Sequence, residues 1–504
     1  MRKALLAFLP LLLISCARSR PDPSTLVMVI ESSPTNLDPR VGLDAQSERI
    51  DELLFDALVR RDEHFNLQPS LAEHWEIPDP LTYVFHLRRD VRFHNGQALT
   101  SRDVKWTLDS LLSGKLISPK ASTYTSVASV EAPDPETVVI HLSKPFASLL
   151  WNLSDGAFGV VPYGTMGELA QQPIGSGPFR FVSARQNRDV VIERNDSYWG
   201  EKARLHRVRF MVVPDETTQA LELRKGSGDA IINALSADTV RALRRESNLQ
   251  VDVSPGSNYA YVALNTRDPI LKDVRVRQAI AYAIDRKKII HYLMGDMARE
   301  SNSVLPPQSW AHDEDAKDYA FDPANANQIL DGAGYLKQKS GYRFQLTMKT
   351  STDATTRVLA AVLQQQLRAI GIDMQIRTFE FATFYSDVTK GAYQIHSLRW
   401  IGGNQDPDIF ENVFATGSFA PKRQNRTYYS NTRVDALIEA ARRTVDQGQR
   451  KRDFTELQEI VNRDVPYVNL WYFDNVLVHT RRVRNLQVSP SGNYDFLRTA
   501  ELAQ

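Results

Sequence analysis

Few residues in this chain have the type and spacing to do chemistry. His86 and His94 stand in two neighbouring alternating segments, where they could offer a pair of imidazoles to zinc or serve as structural or surface histidines. Gly175-Ser176-Gly177-Pro178-Phe179 could cradle a phosphate in backbone N–H groups, or make a tight turn into a strand. Gly226-Ser227-Gly228 lacks the third glycine of a dinucleotide fingerprint and reads as a helix stop before Ile231-Ile232. The patterns G-x-S-x-G, S-x-x-K, H-E-x-x-H and the Walker A lysine loop are missing from the sequence. Catalytic groups need not be close in sequence, so these gaps do not exclude an enzyme. These patterns lead to the expectation of no cofactor and no resident metal.

Composition narrows the classes further. The 504 residues carry 61 Lys+Arg against 60 Asp+Glu, a net +1, which argues against a nucleic-acid binder and against a disordered polyelectrolyte. Hydrophobic residues make up 42%, enough to bury a large core without a disulfide or metal staple. The single cysteine, Cys16, rules out an internal disulfide framework. It follows Arg2, Lys3 and the apolar run Ala4 to Ile14, which is too short for a membrane span of about 20 residues but suits a secretory leader. Leu13-Ile14-Ser15-Cys16 resembles a lipoprotein processing site, which implies acylation of Cys16, export by the general secretory pathway, and a lipid-anchored protein of the periplasm or cell envelope. Ala17 to Pro23 reads as a tether.

The elements that would position a site are legible as periodicities. Tyr83, Phe85 and Leu87 alternate with polar neighbours, as do Val91 and Phe93, Val138 to Leu142, and Val208 to Val212, each with the period of a half-buried strand. Thr100 or Ser101 can cap a helix burying Val104, Leu108, Leu111 and Leu112. One helix is expected from Asp273 to Met294 with Gly295 as its stop, and another starts at Asp322-Pro323. Thr355 to Ile370 places Val358, Leu359, Val362, Leu363, Leu367 and Ile370 on one face and ends at Gly371. A strand at Ile372 to Ile376 follows, then helices around Leu437 and Leu457, and one extended apolar run from Val468 to Val478. No solenoid repeat and no long linker is evident, so the lobes are expected to touch, with the chain crossing between them more than once.

Several ordered motifs resemble one family. Pro69-Ser-Leu-Ala-Glu-His-Trp-Glu-Ile77, Leu81 to Gly96 and Leu99 to Leu111 are similar to the signature of the family 5 extracellular solute-binding proteins, the receptors of dipeptide, oligopeptide and nickel ABC importers. Ser33 to Pro39, Pro173 to Phe179, Glu193 to Trp199, Leu264-Asn265-Thr266, Val274 to Ile280 and Trp400 to Pro407 extend the likeness over residues 30–475. The resemblance implies an α/β, two-lobe periplasmic binding protein fold (class II, large peptide-binding type) with an extra subdomain on the first lobe. Its expected boundaries are 1–15 signal peptide, 16–24 tether, 25–65, 172–262 and 479–504 lobe I, 66–171 extra subdomain, and 263–478 lobe II. It further implies a binding protein rather than an enzyme, a monomer that captures a peptide or a nickel chelate, sugar or other solute between the lobes and hands it to permease and ATPase subunits; an extracellular hydrolase on the same scaffold is the second reading. The membrane would be met through the lipid alone, and no nucleic acid is expected.

The resemblance also proposes the site. The segment matching Trp400 to Asp408 lines the cleft in peptide-binding relatives, where an aspartate pairs with the peptide ammonium; here Gly403 takes that place, beside Asn404. Burying an ammonium without a counter-charge costs several kcal/mol, so Asp406 or Asp408 would have to substitute, or the ligand differ. Arg357 aligns near an arginine that meets a ligand carboxylate, a task suited to its bidentate fork. Trp400 offers a flat apolar wall, Tyr259, Tyr261 and Asn265 offer polar tips for a peptide backbone, and His396 lies close by.

Overall fold

The computed structural model describes residues 23–154, 158–402 and 405–503. Two mixed sheets organise the chain. The first has seven strands, in the spatial order Leu249–Ser254, Asn475–Thr480, Ala230–Ile232, Thr25–Ile30, Arg207–Val212, Asp189–Arg194 and Phe179–Arg185. The second has six, in the order Ala298–Glu300, Tyr467–Phe473, Tyr259–Leu264, Ile395–Trp400, Phe344–Ser351 and Ile372–Phe379. Both sheets carry cores on two faces, and the strands buried throughout, Thr25–Ile30 and Tyr259–Leu264, accordingly read as near-unbroken apolar runs. In Tyr259–Leu264, Ala260, Val262 and Leu264 enter one core while Tyr259, Tyr261 and Ala263 enter the other.

The chain passes between the sheets twice, at 255–258 and at Asp474. This moves the lobe boundaries from those expected. Tyr259–Leu264 belongs wholly to the second lobe and Asn475–Thr480 to the first. The run Val468 to Val478 is two strands in two different sheets, not one, because Asn475 turns to a new set of partners. Its side-chain amide donates to the carbonyls of Ser489 (2.9 Å) and Pro490 (3.3 Å) and accepts from Asn233 Nδ2 (2.9 Å). The passages are pinned to each other: Phe473 N donates to Asn258 O (2.8 Å), and Arg299 reaches Asp474 Oδ1 (2.7 Å) and Gly256 O (2.9 Å).

A third unit holds four antiparallel strands, ordered Ala72–Asp79, Thr82–Leu87, Thr137–Leu142 and Val127–Asp134. Tyr83, Phe85, Val138 and Ile140 face the helix Ser101–Leu112, burying Val104, Leu108 and Leu111 in one core. Asp103 Oδ2 accepts from Thr100 N (2.8 Å) and Thr100 Oγ1 (2.9 Å) at the helix start. The sheet is a doubled hairpin. Glu76, Pro78, Asp79, Pro80, Thr82, Val84, His86 and Leu87 recur in the same order as Glu131, Pro133, Asp134, Pro135, Thr137, Val139, His141 and Leu142. The two copies meet about a local twofold at Val84↔Val139, with Thr82↔His141 and His86↔Thr137 on either side. Even the cross-bonds repeat, Leu87 N to Glu136 O and Leu142 N to Leu81 O, both at 2.7 Å.

Other expectations shift in detail. Asp273 to Met294 is two helices, Val274–Tyr282 and Arg286–Met294, because Asp285 breaks the turn and accepts from Lys288 N (3.0 Å) to cap the second. Val358 stands on the apolar stripe of Ala354–Ala369 yet is 47% exposed. Cys16, the leader and the first part of the tether lie outside the described residues.

A Cβ on Gly256 would lie 2.2 Å from Phe473 O, so the two passages fit only with a hydrogen there. Gly256→Ala is expected to cost about 1–3 kcal/mol in urea unfolding. Gly417→Ala, whose methyl meets nothing within 4 Å, is expected to stay within about 0.5 kcal/mol of the wild type.

Candidate functional site

The strand directions place the site. Ile30, Val212, Ile232 and Ser254 end their strands on the side where the chain leaves for the second lobe. Ser351, Phe379, Trp400 and Phe473 end theirs on the side that faces back. In open α/β sheets ligands bind outside the carboxyl ends of the strands, and here two such edges oppose each other across the double passage.

Polar contacts across the lobes ring this space. Gln405, buried in the loop after Trp400, donates to Ser257 Oγ (3.0 Å) and accepts from Arg61 Nη1 (3.2 Å), whose guanidinium lies over the Trp151 ring. Ser148 of the doubled-hairpin unit donates to Asp406 Oδ1 (3.1 Å), which also accepts from Asp408 N (2.7 Å). Arg442 packs over Phe146 from the opposite lobe. Part of the surface of Asp406 still reaches solvent, but its carboxyl group is enclosed. Burial, then the like charge of Asp408, push it up to about 7, against the opposing pull of Arg450, the Asp408 amide and Ser148.

Behind Trp400 lies a second feature. Tyr261 stacks on Tyr467 at 4.1 Å, and His396 stands edge-on to Tyr393 at 4.3 Å. Trp400 Nε1 and both ring nitrogens of His396 are buried with no hydrogen-bond partner among the described residues. Burial, then the nearby Arg426, hold His396 far below the usual histidine range, so its ring is neutral. Arg426 is buried, lies over Trp400 and donates to Tyr385 OH (2.8 Å). Such orphaned groups are stabilised when water or a ligand supplies the missing bonds.

The expected site residues separate into groups. Trp400 sits on the edge, half-buried, and Arg357 is exposed in the first turn after Ser351, with no side-chain partner among the described residues. Asp406 is at the lobe contact. Asp408 is turned into its own lobe beside Arg442 (3.8 Å). Tyr259 is fully buried and bonded to Asn469. Tyr261 is equally buried, behind the edge. Asn265 is corrected: it lies at the far end of its strand, roughly 20 Å from the passage, its amide donating to Tyr393 O (2.8 Å) and Gly391 O (3.3 Å). Gly403 and Asn404 fall outside the described residues. The pairing of His86 with His94 is also corrected. His94 is spent on backbone, with Nδ1 accepting from Gly175 N (3.2 Å) and Nε2 facing Gly177 O (3.1 Å), and burial brings it down to about 4. Gly175 and Gly177 make no phosphate nest: an added Cβ would strike the backbone at Leu54 at 2.0 and 2.6 Å. Ser148, Arg61 and Arg426 carried no sequence signal, and Gln405 is legible only as part of the Trp400 to Pro407 motif, since each acts through a partner distant in the chain or lies in an irregular loop.

Two sheets with opposed carboxyl edges, joined by a double passage and closed by side-chain contacts, define a two-lobe solute receptor. The chain belongs to the bacterial extracellular solute-binding proteins, family 5, whose sequence profile matches residues 66–421. It is 27% identical to heme-binding protein A of Haemophilus influenzae, over 94% of this chain and 91% of that protein. The structure of NikZ from Campylobacter jejuni in complex with Ni(L-His) superposes with a TM-score of 0.78 at 26% identity, covering 95% of this chain and 99% of that one. DppA from Helicobacter pylori in complex with the peptide STSA gives 0.77 at 26% identity, covering 95% and 98%.

An acid whose pKa is raised in the folded protein stabilises the fold when protonated. The contribution of Asp406 is therefore full below its ordinary value of 3.8 and is lost as pH rises through about 7. Asp406→Asn, which imitates the protonated group, is expected to lose less thermal stability between pH 5 and pH 8 than the wild type, measured by calorimetry at both pH values.

Proposed function

We propose that this chain captures a peptide between its lobes outside the cytoplasm and delivers it unchanged to the permease of an ABC importer. The observation that carries the reading is the pair of opposed carboxyl edges with unsatisfied buried polar atoms behind Trp400. In this reading Trp400 forms the wall of the cleft and Arg357, an uncommitted cation on the rim, meets the ligand carboxylate. Apolar side chains follow the same strand ends: Val358, Phe381, Tyr385 and Ile401 are 47%, 55%, 38% and 56% exposed, and Phe381 stacks on Tyr385. They suit a ligand bound by surface contact as much as by charge. Closure would be a hinge motion about 255–258 and Asp474 that forms the Ser148–Asp406 and Arg61–Gln405 bonds. The protein acts as a monomer held to the membrane through acylated Cys16.

Gently purified protein examined by native mass spectrometry is expected to carry one small molecule, released intact on denaturation. Peptides incubated with the emptied protein are expected to raise its melting temperature and return uncleaved. Cleaved peptides would favour a hydrolase, and a bound solute of another class with no response to peptides would overturn the ligand assignment. Cys16→Ser is expected to move the protein from the membrane fraction to the soluble fraction, and unchanged membrane association would exclude the lipid anchor.

A further inference from the structure

The outward face of the doubled hairpin carries a cluster that lies apart from the cleft. His74 and His86 are opposed across neighbouring strands, their rings stacked at 4.3 Å and 16°. Glu76, two residues beyond His74, projects from the same face and lies 3.7 Å from His86 Nε2. One ligand atom from each of the three lies within 4.8 Å of the other two. Zinc bonds of about 2.0–2.2 Å to imidazole nitrogen and carboxylate oxygen require a closer set. His74 and Glu76 are exposed and His86 is half-buried, which leaves their side chains room to rotate toward one another.

The geometry points to a surface site for a borderline divalent cation, Zn2+ or a neighbouring late first-row metal, held by His74, Glu76 and His86. Two imidazoles and a carboxylate are a zinc donor set, and three protein ligands leave a fourth position for water or an outside ligand. The second copy of the hairpin supplies an internal comparison. It repeats the carboxylate and one histidine, with Glu131 3.5 Å from His141 Nε2, but Ser129 stands where His74 stands in the first. A His–Glu pair is thus the common state of the hairpin, and the added imidazole at 74 is what completes a ligand set on one copy alone. A bound ion would tie the edge strand Ala72–Asp79 to its neighbour.

The test is calorimetric titration of the chelator-stripped full chain with Zn2+ as the probe. Wild type is expected to bind one equivalent at this site. His74→Ser, which installs the residue the second hairpin already tolerates, is expected to weaken that step at least about 10-fold. His86→Ala is expected to do the same, while His141→Ala leaves it unchanged. Ser129→His is expected to add a second equivalent. Circular dichroism of each apo variant matching wild type separates loss of a ligand from loss of the fold. No binding by folded wild type up to millimolar Zn2+, or undiminished binding by folded His74→Ser and His86→Ala, would overturn the assignment.

Discussion

The chain crosses between its two sheets at 255–258 and at Asp474, and these passages are pressed against each other. Everything that the second lobe can do relative to the first is limited by that contact. Gly256 allows the approach, Arg299 ties both passages from the second lobe, and Asn475 with Asn233 anchors them to the first. Two short segments with no linker permit rotation about one line and little sliding. The opposed carboxyl edges are thereby brought together as faces rather than displaced past each other.

The other polar contacts are of two kinds. One is permanent and lies within the first lobe: Asp56, buried, accepts from Ser176 Oγ (2.9 Å), Tyr198 OH (3.0 Å) and Trp199 Nε1 (2.9 Å). Three donors make this buried carboxylate a structural node, where the loss of any one leaves charge uncompensated. The other kind is reversible, built from single bonds such as Ser148–Asp406 at the rim, each of them replaceable by water when the lobes part.

Much of this was legible in the sequence because local physics fixed it. Strands with one exposed face showed their period of two, and Thr100, Asp322, Gly226, Gly295 and Gly371 marked helix ends through capping or left-handed backbone. The motifs that carried the family resemblance were informative for a structural reason: Ser176, Tyr198 and Trp199 meet at Asp56. What stayed hidden depended on partners far away. Val468 to Val478 has the composition of one strand, and only the amide network of Asn475 divides it. Trp400 and Arg357 rest on the family resemblance alone; Trp400 ends its strand and Arg357 stands in the first turn of the helix that follows another. Asn265, named with them, lies elsewhere, since its amide is claimed by Gly391 and Tyr393. The Ser148–Asp406 and Arg61–Gln405 pairs, 258 and 344 residues apart, have no local trace.

The doubled hairpin has one more implication. A unit able to pair with a copy of itself through one strand could, in principle, go on recruiting copies through the other and grow into a fibre. Both outer strands are built against this. Each is bulged at the same two places, and each carries a proline, Pro78 or Pro133, near its turn. Such edges are poor templates for further pairing. The duplication therefore stops at two, and the protein gains a stable accessory sheet without gaining a tendency to polymerise.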